Sequence, residues 1–203
     1  MTTGILKNAK NGAAHLILGG GLLLNVFAAE PDRVSFGVGF MGGARYDNLR
    51  MCVGSPAGVK GGPIADIMLD TRLKLDENAT LVFNLPVMRP ILFGAAFSML
   101  QFEPGCTLEF VKRSEKAVDF LAGPGLGVSF HYGPDYKAGP DNRGEEFFAA
   151  GPFVSTLFGV VFSRGKDKQM IAGLRAFYVP LFSEDYSPGT VIGCAAEFHA
   201  ELF

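Results

Sequence analysis

Val34-Ser-Phe-Gly-Val-Gly-Phe40 alternates large apolar residues with serine or glycine. Successive side chains of a β-strand point to opposite faces, so the four large side chains share one face and the small ones share the other. The same period of two recurs along the rest of the chain. It predicts eight strands, at about 34–40, 64–76, 79–88, 92–113, 117–131, 146–163, 168–182 and 189–203, with the fourth broken at Glu103-Pro104-Gly105.

The connections between these strands alternate between longer and shorter. Short polar turns are predicted at 76–79, 113–116 and 164–167, and loops at 48–62, 86–91, 132–145 and 183–188. An even number of antiparallel strands places both chain ends on one side. We therefore predict an all-β fold: an eight-stranded antiparallel up-and-down transmembrane β-barrel with short turns on the periplasmic side and loops facing outward.

The N-terminus has the pattern of a cleavable secretory signal peptide. Lys7 and Lys10 precede the largely apolar stretch 13–27, and small residues at Val26 and Ala28 fit cleavage before Ala29. We predict a signal peptide at 1–28 and a barrel domain at 29–203; a retained membrane anchor is the alternative. Removing the two lysines takes the net charge from −2 to −4, and a mildly acidic protein gives no support to nucleic-acid binding.

The second face of the predicted strands carries charges of both signs. In a membrane barrel the apolar face meets lipid and this face lines the lumen, where an unpaired buried charge is costly and opposite charges therefore pair. The lumen-facing candidates for binding an unknown ligand are Asp66, Asp70, Arg72, Lys74, Glu109, Arg113, Asp119, Arg175, Glu197, His199 and Glu201.

An exported soluble barrel is the main alternative, because alternation by itself does not say which face is inside. In that arrangement the charges form solvated ion pairs on the outer surface. The apolar residues, among them Phe36, Phe83, Phe130 and Phe158, line a calyx for a small apolar ligand.

The sequence contains few residues in patterns typical of catalysis or metal binding. Ser129 and His131 lie two residues apart on one strand and form a candidate hydrolase pair, for a lipid A-modifying enzyme. Their side chains are predicted to point into the lumen, and we expect no enzyme activity. His199 lies between two glutamates but lacks further ligand spacing, so we expect no metal site and no cofactor.

The three cysteines, Cys52, Cys106 and Cys194, are far apart in the sequence. We expect no disulfide between Cys106 and Cys194, because the strands that carry them are not adjacent.

The mature chain resembles the small outer-membrane barrels of Gram-negative bacteria, such as the OmpA transmembrane domain and the OmpW-type barrels. The resemblance is one of architecture, together with a final strand that ends in the aromatic Phe203. It implies location in the outer membrane, contact with its lipid, and recognition of the last strand by the barrel-assembly machinery. We expect a structural, surface-interaction or minor channel role, with specificity carried by the external loops.

Overall fold

The structure is a computed structural model, and it describes residues 33–50, 58–95, 99–115, 118–134, 144–163, 168–183 and 189–202. The described β-sheet lies almost entirely in the unit that begins at Ser35. The predicted signal peptide at 1–28, Cys52 and Phe203 lie outside the described residues.

The described chain is almost entirely β-structure. Its elements are β1 (Val34–Asp47), β2 (Gly62–Lys74), β3 (Ala79–Pro86), α1 (Met88–Gly94), β4 (Leu100–Phe102), β5 (Gly105–Lys112), β6 (Asp119–Pro134), β7 (Glu146–Ser163), β8 (Gln169–Leu181) and β9 (Gly189–Glu201). No helix among these elements is long and apolar enough to cross a membrane.

The strands close into an antiparallel barrel. β4 and β5 both pair with β6 and together form the fourth of eight barrel strands. The last strand returns to the first, with β9 and β1 in register from Gly37–Glu201 to Asp47–Val191. The β6–β7 pairing completes the circuit. The predicted eight-stranded up-and-down barrel is therefore confirmed.

The two faces of the sheet have opposite character. Large apolar side chains point away from the lumen and are half exposed or more, including Phe40, Leu126, Phe158 and Leu174. The side chains that point inward include arginines, aspartates, glutamates and histidines that are almost fully buried. A soluble protein rarely exposes so large an apolar surface while burying so many charges.

The four phenylalanines assigned to a soluble calyx lie on this outer face. Phe36 is 44% exposed and Phe158 is 61% exposed, and Phe83 and Phe130 occupy the same parity as exposed neighbours on their strands. The calyx alternative is therefore wrong.

The fourth barrel strand differs from its prediction. The expected strand at about 92–113 begins only at Leu100, and the expected external loop at 86–91 runs into the seven-residue helix α1. The helix begins after Val87 and contains Pro90 near its start, where the missing N–H of proline removes no helical hydrogen bond. The predicted break at Glu103-Pro104-Gly105 is confirmed, because β4 ends at Phe102 and β5 begins at Gly105.

The wall of the barrel is notched beside β3, at the end that carries the longer connections (the loop end). β3 pairs with the Met68–Lys74 part of β2, and the Val87 N–H donates to the Ile67 carbonyl at 2.8 Å. Between this point and the loop end, β2 is not paired with β4. The neighbour of β4 in the sheet is β6. Helix α1 contacts both β2 and β4 and so fills the place of strand pairing.

Among the described residues, Cys106 and Cys194 form no disulfide.

Candidate functional site inside the barrel

An ion-pair cluster lies inside the loop end of the barrel; we call it the loop-end cluster. Its centre is Glu103, whose Oε1 accepts from Arg45 Nη1 at 3.2 Å and whose Oε2 lies 2.9 Å from Arg89 Nη2. Arg45 also pairs with Asp47 at 2.5 Å, and Arg89 pairs with Asp66 at 2.5 Å. Two guanidinium groups are thus shared among three carboxylates, all almost fully buried.

Arg89 is the residue that brings helix α1 into this cluster. It reaches from the helix to Asp66 on β2 and to Glu103 beyond β4, and so bridges the two sides of the notch. The two carboxylates of Asp66 and Glu103 compensate the burial of the Arg89 guanidinium. The helix is therefore fixed by a fully charged contact.

The Ser129–His131 pair belongs to the same cluster. The hydroxyl of Ser129 lies 3.0 Å from His131 Nε2 and donates to Glu103 Oε1 at 3.2 Å. Glu103 approaches the Nε2 atom of the histidine, at 3.6 Å, whereas His131 Nδ1 has no hydrogen-bond partner among the described residues. In a hydrolytic triad the carboxylate binds the other ring nitrogen and orients the base. Both side chains are also fully buried.

A closed ring of hydrogen bonds crosses the lumen nearer the end that carries the short turns (the turn end). His199 lies between Asp70, at 2.6 Å from Nδ1, and Glu197, at 3.2 Å from Nε2. Glu197 accepts from Arg175 Nε at 2.6 Å, and Arg175 Nη1 donates to Thr107 at 3.0 Å. Thr107 donates to Asn84, whose amide donates to Asp70 and closes the ring. We call these six residues the lumen ring: Asp70, Asn84, Thr107, Arg175, Glu197 and His199.

The lumen ring connects five strands: β2, β3 and β5 on one side, and β8 and β9 on the other. These two groups of strands are not paired with each other in the sheet. Both nitrogens of His199 face carboxylate oxygens, which only accept, so the arrangement suits an imidazolium that donates twice. Each of the six side chains is hydrogen-bonded to two others of the ring, so its position is fixed from two sides. The lumen ring therefore acts as a rigid cross-brace of the barrel.

Two glycines make room for the ring. A Cβ on Gly39 would lie 2.6 Å from His199 Nδ1, and a Cβ on Gly125 would lie 2.3 Å from Ser155 Oγ and 3.1 Å from Arg175 Nη1. Gly125 therefore thins the inner wall beside Ser155 and Arg175.

Two layers of apolar side chains lie next to the loop-end cluster and the lumen ring inside the barrel. Met41, Met68, Phe153 and Phe177 lie between the loop-end cluster and the lumen ring, around a cavity of about 30 Å³. A cavity of that size holds one or two water molecules. Below the ring, Leu121, Leu157, Val161 and Ile171 pack together towards the turn end. Side chains therefore occupy the middle of the described lumen, which keeps this cavity of about 30 Å³ and a second one of about 70 Å³ at the turn end, beside Arg72, Lys74 and Glu201.

The structure places the predicted lumen-facing residues in two groups. Seven are buried inside the barrel, namely Asp66, Asp70, Arg72, Glu109, Arg175, Glu197 and His199. Arg72 and Glu109 pair with each other. The other four, Lys74, Arg113, Asp119 and Glu201, lie at the turn end with greater exposure, and Arg113 pairs there with Asp119 at 2.9 Å. The binding role given to the whole set stays a prediction.

Several site residues were not among the predicted candidates. Arg45 and Asp47 continue the lumen-facing parity of β1, which runs seven residues beyond the predicted Phe40. Glu103 was assigned only to a strand break, and Arg89 to an external loop. Within the described part of the chain, no group of three or more His, Cys, Asp or Glu side chains is arranged to hold a metal ion.

These features together define a class of protein. Eight antiparallel strands, an apolar exterior and a charged, internally paired lumen are the architecture of small outer-membrane β-barrels.

A solved structure shares this fold. The crystal structure of Neisserial surface protein A matches with a TM-score of 0.53 and 10% sequence identity, covering 83% of this chain and 99% of that one. No protein-family model matches the sequence. No curated protein matches it either.

Proposed function

We propose that this protein is an outer-membrane β-barrel of a Gram-negative bacterium whose lumen is closed. In this proposal it acts as a structural scaffold for interactions at the cell surface, made by its external connections. The observation that carries the proposal is the lumen ring, together with the apolar layers on either side of it. A barrel of eight strands has little internal space, and here charged and apolar side chains occupy it.

A closed lumen leaves the external connections to carry specificity. The longest stretches between strands are 48–61, 87–99 and 135–145, and all leave the barrel at the loop end. Loops on a rigid barrel are the usual place for recognition. The braced interior is consistent with a barrel that keeps its shape while those segments bind.

Conduction is tested by reconstituting the purified barrel in planar bilayers. We expect no conductance steps above background in protein whose insertion is verified by a heat-dependent gel shift. Reproducible ohmic steps from such protein would instead support the minor channel role.

The direction of insertion is tested with epitope tags on intact cells. A tag placed within 135–143 is expected to bind antibody without permeabilisation, whereas a tag within 164–167 is expected to require it. The opposite pattern would mean that the turns face outward and would remove the surface role of the longer connections.

Catalysis at Ser129 has little support in this arrangement. The pair is fully buried, and its carboxylate neighbour approaches the wrong nitrogen of the histidine. We expect the mass of lipid A to be the same in cells with and without the gene. A change in lipid A mass that Ser129→Ala abolishes would show that the barrel is an enzyme.

A further inference from the structure

An open groove runs over the outer face of the barrel at the turn end, where β5, β6 and β7 meet. It is bordered by Phe110, Phe120 and Phe158, each about half exposed or more. Ala122 lies between two of these rings, in register with Phe110 on one side and Phe158 on the other. The three rings therefore surround a small residue and leave a furrow on the lipid-facing surface.

A lysine stands at the edge of this furrow. Lys112 has the outward parity of Phe110 and is in register with Phe120 on β6. Its side chain is exposed, and among the described residues that side chain makes no ion pair or hydrogen bond. The neighbouring Arg113 is engaged by Asp119 at 2.9 Å and by the Glu77 carbonyl at 3.2 Å. Of the described residues that line the furrow, Lys112 is thus the one with an unpaired cationic side chain.

We propose that this furrow binds a phospholipid with an anionic headgroup, in the leaflet at the turn end. The acyl chains lie against the three phenyl rings, and the phosphate lies at the Lys112 ammonium group. Apolar chains joined to an anion match the furrow, which is apolar along the strands and carries the unpaired Lys112 ammonium group where β5 ends. Glu77 also borders the furrow, and its carboxylate repels the phosphate, so the headgroup lies on the side of Lys112. The inference rests on the proposed location in a bilayer.

The charge is tested by native mass spectrometry of the barrel released from nanodiscs of equal phosphatidylglycerol and phosphatidylcholine. We expect the wild type to retain phosphatidylglycerol in preference to phosphatidylcholine. Lys112→Gln is expected to lower that preference about fivefold, the factor that corresponds to about 1 kcal/mol for a lysine near an anionic surface. Lys112→Arg should keep the preference. The matched control is Lys168→Gln, which removes an exposed lysine at the same end but outside the furrow and should change nothing.

The groove is tested separately with Ala122→Leu, which fills the space between Phe110 and Phe158 without changing charge. This variant is expected to retain fewer lipids of both kinds. Three results would each overturn the inference: an unchanged preference in Lys112→Gln, unchanged lipid retention in Ala122→Leu, or displacement of the lipid by soluble glycerol phosphate. Failure of the protein to enter nanodiscs would instead contradict the proposed function, so the two failures are distinguishable.

Discussion

Arg175 on β8 donates a hydrogen bond from Nη1 to the hydroxyl of Thr107 on β5, over 3.0 Å. Two strands, β6 and β7, separate these residues in the sheet, so the bond crosses the interior of the barrel. Arg175 also binds Glu197 and Ser155. The Arg175 side chain therefore connects β8 directly to β5 across the lumen, whereas the backbone hydrogen bonds connect these strands only through the strands that lie between them around the barrel.

Replacing Arg175 is expected to destabilise the barrel strongly. Arg175→Met leaves the buried Glu197 carboxylate without its guanidinium, and breaking a buried ion pair in this way costs about 3–5 kcal/mol. Unfolding in urea, followed by circular dichroism in lipid vesicles, measures the change. The double variant Arg175→Met/Glu197→Gln should recover part of the loss, because no unpaired charge remains.

The control for this pair is the exposed pair at the turn end. Arg113→Gln removes a guanidinium whose side chain is 50% exposed, and it should leave the unfolding midpoint almost unchanged. Equal losses in Arg175→Met and Arg113→Gln would contradict the cross-brace.

Adding a single methyl group at Gly125 is expected to disturb the lumen ring. The new Cβ would lie 2.3 Å from Ser155 Oγ, so the serine and the neighbouring guanidinium have to shift. Overpacking of this kind costs about 1–3 kcal/mol. The heat-dependent gel shift should move to lower temperature in Gly125→Ala. Gly94→Ala, where nothing lies within 4 Å of the added atom, is the matched control and should shift little.

Loss of the Arg89 contact is expected to loosen helix α1 without opening the rest of the barrel. The double variant Arg89→Gln/Asp66→Asn removes the ion pairs that hold the helix in the notch and leaves no Asp66 carboxylate buried without a cation. Hydrogen exchange should accelerate at the amides of Ile91 and Ala95, which are bonded within the helix at 3.1 and 3.0 Å. Amides of β8 should exchange as in the wild type. Uniform acceleration over both regions would mean that Arg89 supports the whole barrel rather than the helix.

A charged side chain on the outer face is expected to lower the stability of the barrel only if that face contacts lipid. Leu174 is 58% exposed near the middle of β8, and arginine at the bilayer midplane costs about 2–4 kcal/mol. Leu174→Arg should therefore lower stability in vesicles well below that of Leu174→Ala. A fully tolerated arginine would place this face in water and contradict the membrane orientation.

The terminal aromatic residue is predicted to matter for assembly rather than for stability. Deleting Phe203 should slow the appearance of the heat-modifiable form in cells, because the assembly machinery is expected to recognise that residue. Refolding of the same variant from urea into vesicles should be close to that of the wild type. An undiminished yield in cells would remove the predicted role of Phe203.

The parity of the strands could be predicted from sequence because a period of two is a local property. The same parity, followed past Phe40, leads directly to Arg45 and Asp47, so the sequence does contain a local signal for these two residues. The bond from Arg175 to Thr107 was not accessible, since parity gives the face of a side chain but not the stagger between distant strands. Helix α1 was also hidden, because seven residues are too few to display a helical period.

The notch in the wall has a consequence for the surrounding bilayer. β3 has eight residues, whereas β7 has 18. A strand of eight residues is about 26 Å long and, tilted by about 45°, crosses less than the roughly 25 Å apolar band of such barrels. In an outer membrane the lipid must become thinner beside β3, or the barrel must lean towards that strand. The hydrophobic thickness of the bilayer around the molecule is therefore uneven, and it is smallest on the side where α1 lies.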